Sequence, residues 1–327
     1  MRILLVKTSS LGDVIHNLPV VSDIRKVFPE AQIDWLVEEK FADIPLLHSG
    51  VRAVIPVALR RWRKSLFKAG TWQEMREFYA TLRRENYDVV IDTQGLFKSA
   101  LLARLARGRR AGYSIVSARE PVAALLYNMT MTVTWDQHAV QRYRRLAAAA
   151  LGYALSGDLP VNYGLAASTT AKKSMVSTLP VADNTVLLLT ATSRADKLWP
   201  ETHWQALGCA FAARGLTCLL PSGNNTERAR AIRLAQWIPG AVALPALSLR
   251  ELAGYCAAAQ LVVGVDTGLV HLAAAVGSPT LALFCASNPE LTGVLADEGC
   301  TNPAINLGRQ GAPPSVAEVL AAAQPWL

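Results

Sequence analysis

The sequence predicts an α/β protein of two similar halves, each a parallel sheet with helices on both faces. Three observations lead there. Short apolar strand patterns alternate with helical patterns along most of the chain, which calls for parallel pairing under helical cover. The alternation blurs once, over 155–184, where the chain turns polar and carries Pro and Gly. Finally, 327 residues with 51% apolar content suffice for two cores of about 150 residues each. The expected domains are residues 1–165 and 185–327, two Rossmann-like units facing a cleft, with a linker at 166–184.

In the first half RILLVKT is a buried strand, GDVIHNLPVVSDIRKVFP a helix, and QIDWLVEE and VRAVIPVA two more strands. WQEMREFYATLRREN places Met75, Phe78, Tyr79 and Leu82 on one helical face. YDVVIDTQ is the next strand and GLFKSALLARLAR the helix after it. The second half runs TVLLLTAT strand, THWQALGCAFAARG helix, LTCLLPSG strand and NTERARAIRLAQWI helix. ELAGYCAAA then forms a helix, QLVVGVDT a strand, GLVHLAAAVG a helix and PTLALFC a strand. SVAEVLAAAQPWL closes the chain as a helix, with a return toward the first half left open.

The net charge of +8 lies wholly in the first half. Residues 1–165 hold 23 Lys/Arg against 15 Asp/Glu, and residues 166–327 hold ten of each. That bias calls for an anionic partner: nucleic acid, a membrane surface or an acidic substrate. No apolar run approaches the roughly 18 residues of a membrane span, and no signal-peptide pattern opens the chain, so a cytoplasmic protein is expected. Five cysteines without C-x-x-C spacing read as reduced, mostly buried thiols. Neither histidine spacing nor a D-x-D supports a metal site, and none is expected.

Ligands of such sheets bind beyond the carboxyl ends of the strands. There the second half places VVGVDTGLVHLAAAVG, in which Asp266 ends a strand and Thr267 and Gly268 open a helix with free N–H groups. Such a terminus takes phosphate, and His271 shares its face. A capped helix with a core histidine is the plainer reading. TATSRADKLWP adds Thr192, Ser193 and Lys197, suited to a diphosphate, while Arg194 and Asp196 can pair with each other. In PSGNNTERAR, Glu227 is either a ribose-binding acid or an ordinary first-turn acid. No G-x-G-x-x-G or G-x-x-x-x-G-K-[ST] is present, against a dinucleotide enzyme or a nucleotide triphosphatase.

The first half begins VKTSSLGDVIHNLP, positioned as a phosphate loop but without its glycines. Asp13 puts a carboxylate where an anion would sit. ALRRWRKSLFK sets Arg60, Arg61, Arg63, Lys64 and Lys68 around Trp62 and Phe67, fit to stack on bases or dip into a membrane interface. Gln94 and Lys98 in DTQGLFKS, Arg119 in SAREP and His138 in DQHAVQR complete a polar set fit for an acidic, hydroxyl-rich acceptor.

VKTSSLGDVIHNLP, RRWRK, DTQGLFKSA, AREP, QHAV, DKLWP and VDTGLVHLAAA, in that order, resemble the bacterial lipopolysaccharide heptosyltransferases of glycosyltransferase family 9. The resemblance implies a GT-B fold and an inverting, metal-independent transfer without cofactor. The donor would be ADP-L-glycero-D-manno-heptose, and the acceptor the inner Kdo of Kdo2–lipid A at the cytoplasmic face of the inner membrane. It implies Asp13 as general base and Lys197 as the cation on the leaving diphosphate. Thr192, Ser193, Lys197, Glu227, Asp266, Thr267, Gly268 and His271 would hold the donor. Ser10, Gly12, Arg60, Arg61, Arg63, Lys64, Gln94, Lys98, Arg119 and His138 would face the acceptor. The family pattern has a second Thr at Ser193, an aromatic at Ser222 and an acid at Ala195, which bears on adenine packing and loop shape. A sister branch adding the second core heptose, and a basic nucleic-acid-binding protein, are the alternatives; nucleic acid is not the expected partner. A monomer is the expectation.

Overall fold

The computed structural model describes residues 1–155, 160–165 and 184–327, so the expected linker lies outside the described residues but for Asn184. The chain divides into two compact units, Met1–Gly164 and Leu165–Leu327.

The first unit has strands β1 (Arg2–Val6), β2 (Gln32–Glu38), β3 (Val51–Val57), β4 (Asn86–Asp92), β5 (Arg107–Tyr113) and β6 (Met129–Met131). All pair in parallel, in the order β3-β2-β1-β4-β5-β6. Its helices are α1 (Leu11–His16), α2 (Leu18–Val27), α3 (Asp43–Leu46), α4 (Leu59–Trp62), α5 (Ala69–Leu82), α6 (Phe97–Leu105) and α7 (Ala139–Leu151). The single helix expected after β1 is in fact two. Pro19 has no N–H to donate, so the helix stops at Asn17 and restarts with Pro19 in its first turn. On α5, Leu82 is buried and Met75 and Phe78 pack beside it, but Tyr79 is exposed and lies along Arg83.

β5 and α7 are the longest elements here that escape pattern reading. β5 spells RGRRAGY, whose burial is confined to Ala111, Gly112 and Tyr113. Gly112 is required because a Cβ there would stand 2.3 Å from the Tyr127 ring. α7 buries Arg142, Tyr143 and Arg144 among its alanines.

The second unit repeats the plan. Its strands are β7 (Thr185–Leu189), β8 (Thr217–Leu220), β9 (Val242–Ala243), β10 (Leu261–Val265), β11 (Thr280–Phe284) and β12 (Ala304–Gly308). They pair in parallel in the order β12-β11-β10-β7-β8-β9. The helices are α8 (Glu201–Ala212), α9 (Asn225–Trp237), α10 (Leu249–Ala258), α11 (Gly268–Ala275), α12 (Pro289–Thr292) and α13 (Val316–Ala323). Trp199 and Trp204 meet edge to face at 5.0 Å in its core, a geometry worth about 0.5–1.5 kcal/mol beyond the area buried. The closing helix α13 sets Val319 and Ala323 into that same core.

Counted from its own first strand, each sheet has the doubly wound order 3-2-1-4-5-6. The order reverses between β1 and β4 in one unit and between β7 and β10 in the other. Loops leaving the carboxyl ends of those strands diverge and open a crevice for ligand. After β1 comes Lys7–Asp13, after β4 Thr93–Gln94, after β7 Thr190–Lys197 and after β10 Asp266–Gly268. No described helix is long and apolar enough to cross a membrane.

Candidate active site

At the first switch point the chain leaves β1 through Lys7 and Thr8, turns at Ser9–Ser10 and enters α1, where Asp13 occupies the first turn. Asp13 Oδ2 accepts from the Ser10 backbone N–H and hydroxyl, both at 3.0 Å. Its Oδ1 accepts from the Tyr143 hydroxyl at 2.7 Å, a partner brought in by α7. Lys7 is buried, donates to the Thr93 carbonyl at 3.0 Å and lies 3.4 Å over the Tyr143 ring.

Burial alone would push the Asp13 carboxyl up, but the Lys7 charge, the Tyr143 hydroxyl and the Ser10 N–H outweigh it and hold the carboxyl well below the ordinary range. Burial pushes Lys7 down to about 8 against the pull of Asp13 and Asp92. Burial likewise raises Asp92, in spite of donors from Ser99, Tyr127, Gln94 and Gly95. The arrangement is a carboxylate kept ionised, with neutral donors on both oxygens.

Gln94 does not face outward as the sequence suggests. Its Oε1 accepts from Thr8 N–H at 2.7 Å, Thr8 Oγ1 at 2.8 Å and Ser9 N–H at 3.3 Å, and so clamps the turn that carries Asp13. Lys98 and Arg119 are exposed at the same sheet edge. His138 caps α7, its Nδ1 accepting from Val140 N–H, and its ring lies 5.5 Å from that of His16.

Part of the basic segment is tied into the fold. Arg61 is bound by Glu39 and Glu74, and Trp62 is buried, donating to Glu74 at 2.8 Å and packing edge-on against Phe78. Trp62 therefore has no free face for a base or a membrane, and Arg61 positions the segment rather than offering its charge. Arg60, Arg63, Lys64 and Lys68 stay exposed. An open pocket of 720 Å³ lies beside them, lined by Lys40, Arg60, Lys64 and Lys68 with Glu38 and Glu39. The Phe67 side chain is fully exposed beyond it, with Leu66 and Trp72 partly so.

At the second switch point Asp266 follows β10 and Thr267 caps α11. Asp266 Oδ2 takes the Lys197 ammonium and the Ser287 hydroxyl, and His271 Nε2 lies 3.8 Å from Oδ1. Thr192 Oγ1 donates to the Asp266 carbonyl at 3.3 Å, joining the β7 and β10 loops. Burial works to raise the Asp266 carboxyl, and bonds from His271, Lys197 and Ser287 bring it below the ordinary range. Ser193 is exposed beside Arg194, which pairs with Asp196. Glu227 closes its own helix start, accepting from Gly223 N–H and Asn224 Nδ2, both at 2.7 Å.

Lys7, Tyr143 and Ser287 are the residues that sequence reasoning missed. Lys7 reads as the tail of a strand, while Tyr143 and Ser287 lie outside every recognised motif. All five cysteines are free, and burial pushes Cys218 and Cys256 up to about 12, so those two are inert.

A family model described as glycosyltransferase family 9 (heptosyltransferase) matches residues 75–310. The chain is 47% identical over 294 residues to lipopolysaccharide heptosyltransferase 1 of Pseudomonas aeruginosa, covering 90% of this chain and 81% of that one. The solved structure of the Escherichia coli heptosyltransferase WaaC with ADP is similar over the full length of both chains, with a TM-score of 0.88 at 39% identity. WaaC with ADP-2-deoxy-2-fluoro heptose matches at a TM-score of 0.81 and the same identity, over 100% of this chain and 98% of that one.

Proposed function

The chain belongs to glycosyltransferase family 9, and from that premise we propose that it is the heptosyltransferase adding the first heptose of the lipopolysaccharide core. The observation that carries this is the 47% identity to heptosyltransferase 1 across 90% of the chain. The donor is ADP-L-glycero-D-manno-heptose, in keeping with a WaaC structure that holds ADP-2-deoxy-2-fluoro heptose. The acceptor is the inner Kdo of Kdo2–lipid A.

In this reading Asp13 accepts the proton of the attacking Kdo hydroxyl as that oxygen bonds to the anomeric carbon and the C–O bond to ADP breaks with inversion. Its low basicity keeps it ionised at neutral pH, and loss of one of its hydrogen bonds to the incoming hydroxyl group brings it into range. Gln94 and Tyr143 position it. Charge develops on the departing diphosphate. Lys197 answers that charge together with the first-turn N–H groups of α11, with Thr192, Ser193, Thr267, Gly268 and His271 around the phosphates. Asp266 holds Lys197 ready. Glu227 is assigned to the ribose hydroxyls, which would compete with Gly223 and Asn224 for it.

Acceptor phosphates and carboxylates meet Arg60, Arg63, Lys64 and Lys68, with Ser10, Gly12, Lys98, Arg119 and His138 near the sugar. The exposed Phe67, with Arg63, Lys64 and Lys68 close to it in sequence, supports peripheral docking on an anionic membrane, the side chain entering the interface while the cations meet headgroups. Phe67→Asp should weaken sedimentation with anionic vesicles; unchanged sedimentation would rule out this contact.

Purified protein incubated with ADP-heptose and Kdo2–lipid A, with and without chelator, tests the function. A mass gain of one heptose on Kdo2–lipid A supports it. Transfer only to an already heptosylated core would assign the second-heptose activity instead, and no transfer to either would refute both.

A further inference from the structure

We propose that Arg142 is an unassigned acceptor-binding residue whose guanidinium takes a carboxylate of the acceptor sugar. This rests on the reading that the first unit binds a Kdo acceptor, whose sugars are ulosonic acids and carry that group.

Arg142 precedes Tyr143 on α7, and Tyr143 holds Asp13. Its guanidinium lies 3.3 Å from the centroid of the Trp135 ring and 5.4 Å from that of Tyr113, the last residue of β5. The residue is only 8% exposed, and its Nε is sealed from solvent with no hydrogen-bond partner. No carboxylate pairs with it among the described residues. Two positions on, the fold treats a second buried arginine in the opposite way: Arg144 is held by Asp23 through bonds of 2.7 and 2.9 Å.

Leaving one of the two unpaired is expensive. Burying a charge without an anionic partner costs more than a cation–π contact returns. Such a group is accounted for by a ligand that completes it. The Trp135 ring packed against it holds the guanidinium in place, and a planar fork so held can match a carboxylate edge-on. The site is also the right one. Arg142 and Arg119 are the two cations that bear on Lys7, which in turn bears on Asp13, so the acid would be gripped where its neighbouring hydroxyl meets the base.

The experiment compares wild type and Arg142→Gln on Kdo2–lipid A and on the same acceptor with its Kdo carboxyls converted to methyl esters. Wild-type kcat/KM should fall on esterification, and Arg142→Gln should lose about 10- to 100-fold on the free acid, the scale of one hydrogen bond to a charged group. The variant should then show little preference between acid and ester. Its melting temperature should hold or rise because an unpaired buried charge has gone, and its stabilisation by ADP should stay as in wild type. Equal losses on acid and ester, or a fallen melting temperature with acceptor kinetics unchanged, would overturn the assignment. Wild type that transfers to neither acceptor would instead sink the Kdo reading beneath it.

Discussion

Asp13 and Asp266 both lie beyond a strand that borders a switch point, Asp13 in the helix after the first strand of its unit and Asp266 directly after the fourth strand of its own, and each carboxyl is held below the ordinary range although burial works the other way. Their partners differ. Asp266 is in direct contact with an ammonium, Lys197, with Ser287 on the same oxygen. Asp13 is held by hydroxyls and a backbone N–H, while Lys7 is directed to the Thr93 carbonyl and the Tyr143 ring. A carboxylate locked on a cation is suited to aiming that cation, and one held by neutral donors can exchange a donor for an incoming hydroxyl. One fold, used twice, thus gives an anchor in one unit and, in the proposed reading, a base in the other.

The largest expected effect comes from Asp13→Asn, which keeps the shape and removes the base. Heptose transfer should fall by about 10²–10⁴-fold, the usual contribution of a general base, while thermal stabilisation by ADP stays as in wild type. Transfer within tenfold of wild type would make Asp13 the structural acid and undo the contrast.

Asp266→Ala should act on binding and stability together. It strands Lys197 and Ser287, and the second unit should lose about 2 kcal/mol, with ADP binding weakened about tenfold or more. The sign with pH is fixed by the low carboxyl value. Its stabilisation is complete above the unfolded value near about 4 and is lost as pH falls toward the folded one, so variant and wild type should converge in acid. A gap in unfolding free energy that persists at low pH would mean Asp266 acts through packing instead.

The same contrast explains what the sequence could show. Strand–helix alternation is written in apolar runs, so eight of the twelve described strands and the loops at both switch points were legible, and with them the positions of Asp13, Thr192, Lys197 and Asp266. Motifs mark where a residue stands but not which way it turns. Gln94 sits in the expected loop and faces inward to clamp Thr8 and Ser9, and Arg61 is taken by Glu39 and Glu74 from elements before and after it. Tyr143 and Arg142 were hidden for a different reason. α7 keeps an apolar stripe through Tyr143, Leu146, Ala147 and Ala150, but helical spacing does not say which of its arginines turn inward, and Arg142 and Arg144 do.

Tyr143→Phe is the smallest change and the sharpest test of the idea that neutral donors tune Asp13. Removing the hydroxyl takes away one of the bonds that favour the ionised carboxyl, so the Asp13 value should rise toward the ordinary range. The acid limb of kcat/KM should move to higher pH by about one unit, one lost neutral hydrogen bond being worth about 1 kcal/mol. Near pH 8, where the carboxyl is ionised in both proteins, turnover should stay within about threefold, because the freed oxygen is a somewhat stronger base but less well aimed. Stability should drop by a similar amount at neutral pH, and the difference should vanish as Asp13 protonates in both proteins. Tyrosine acting only as packing would give another pattern: a lower melting temperature at every pH and an acid limb that does not move. The pH profile therefore separates a hydroxyl that sets the base from a ring that fills space.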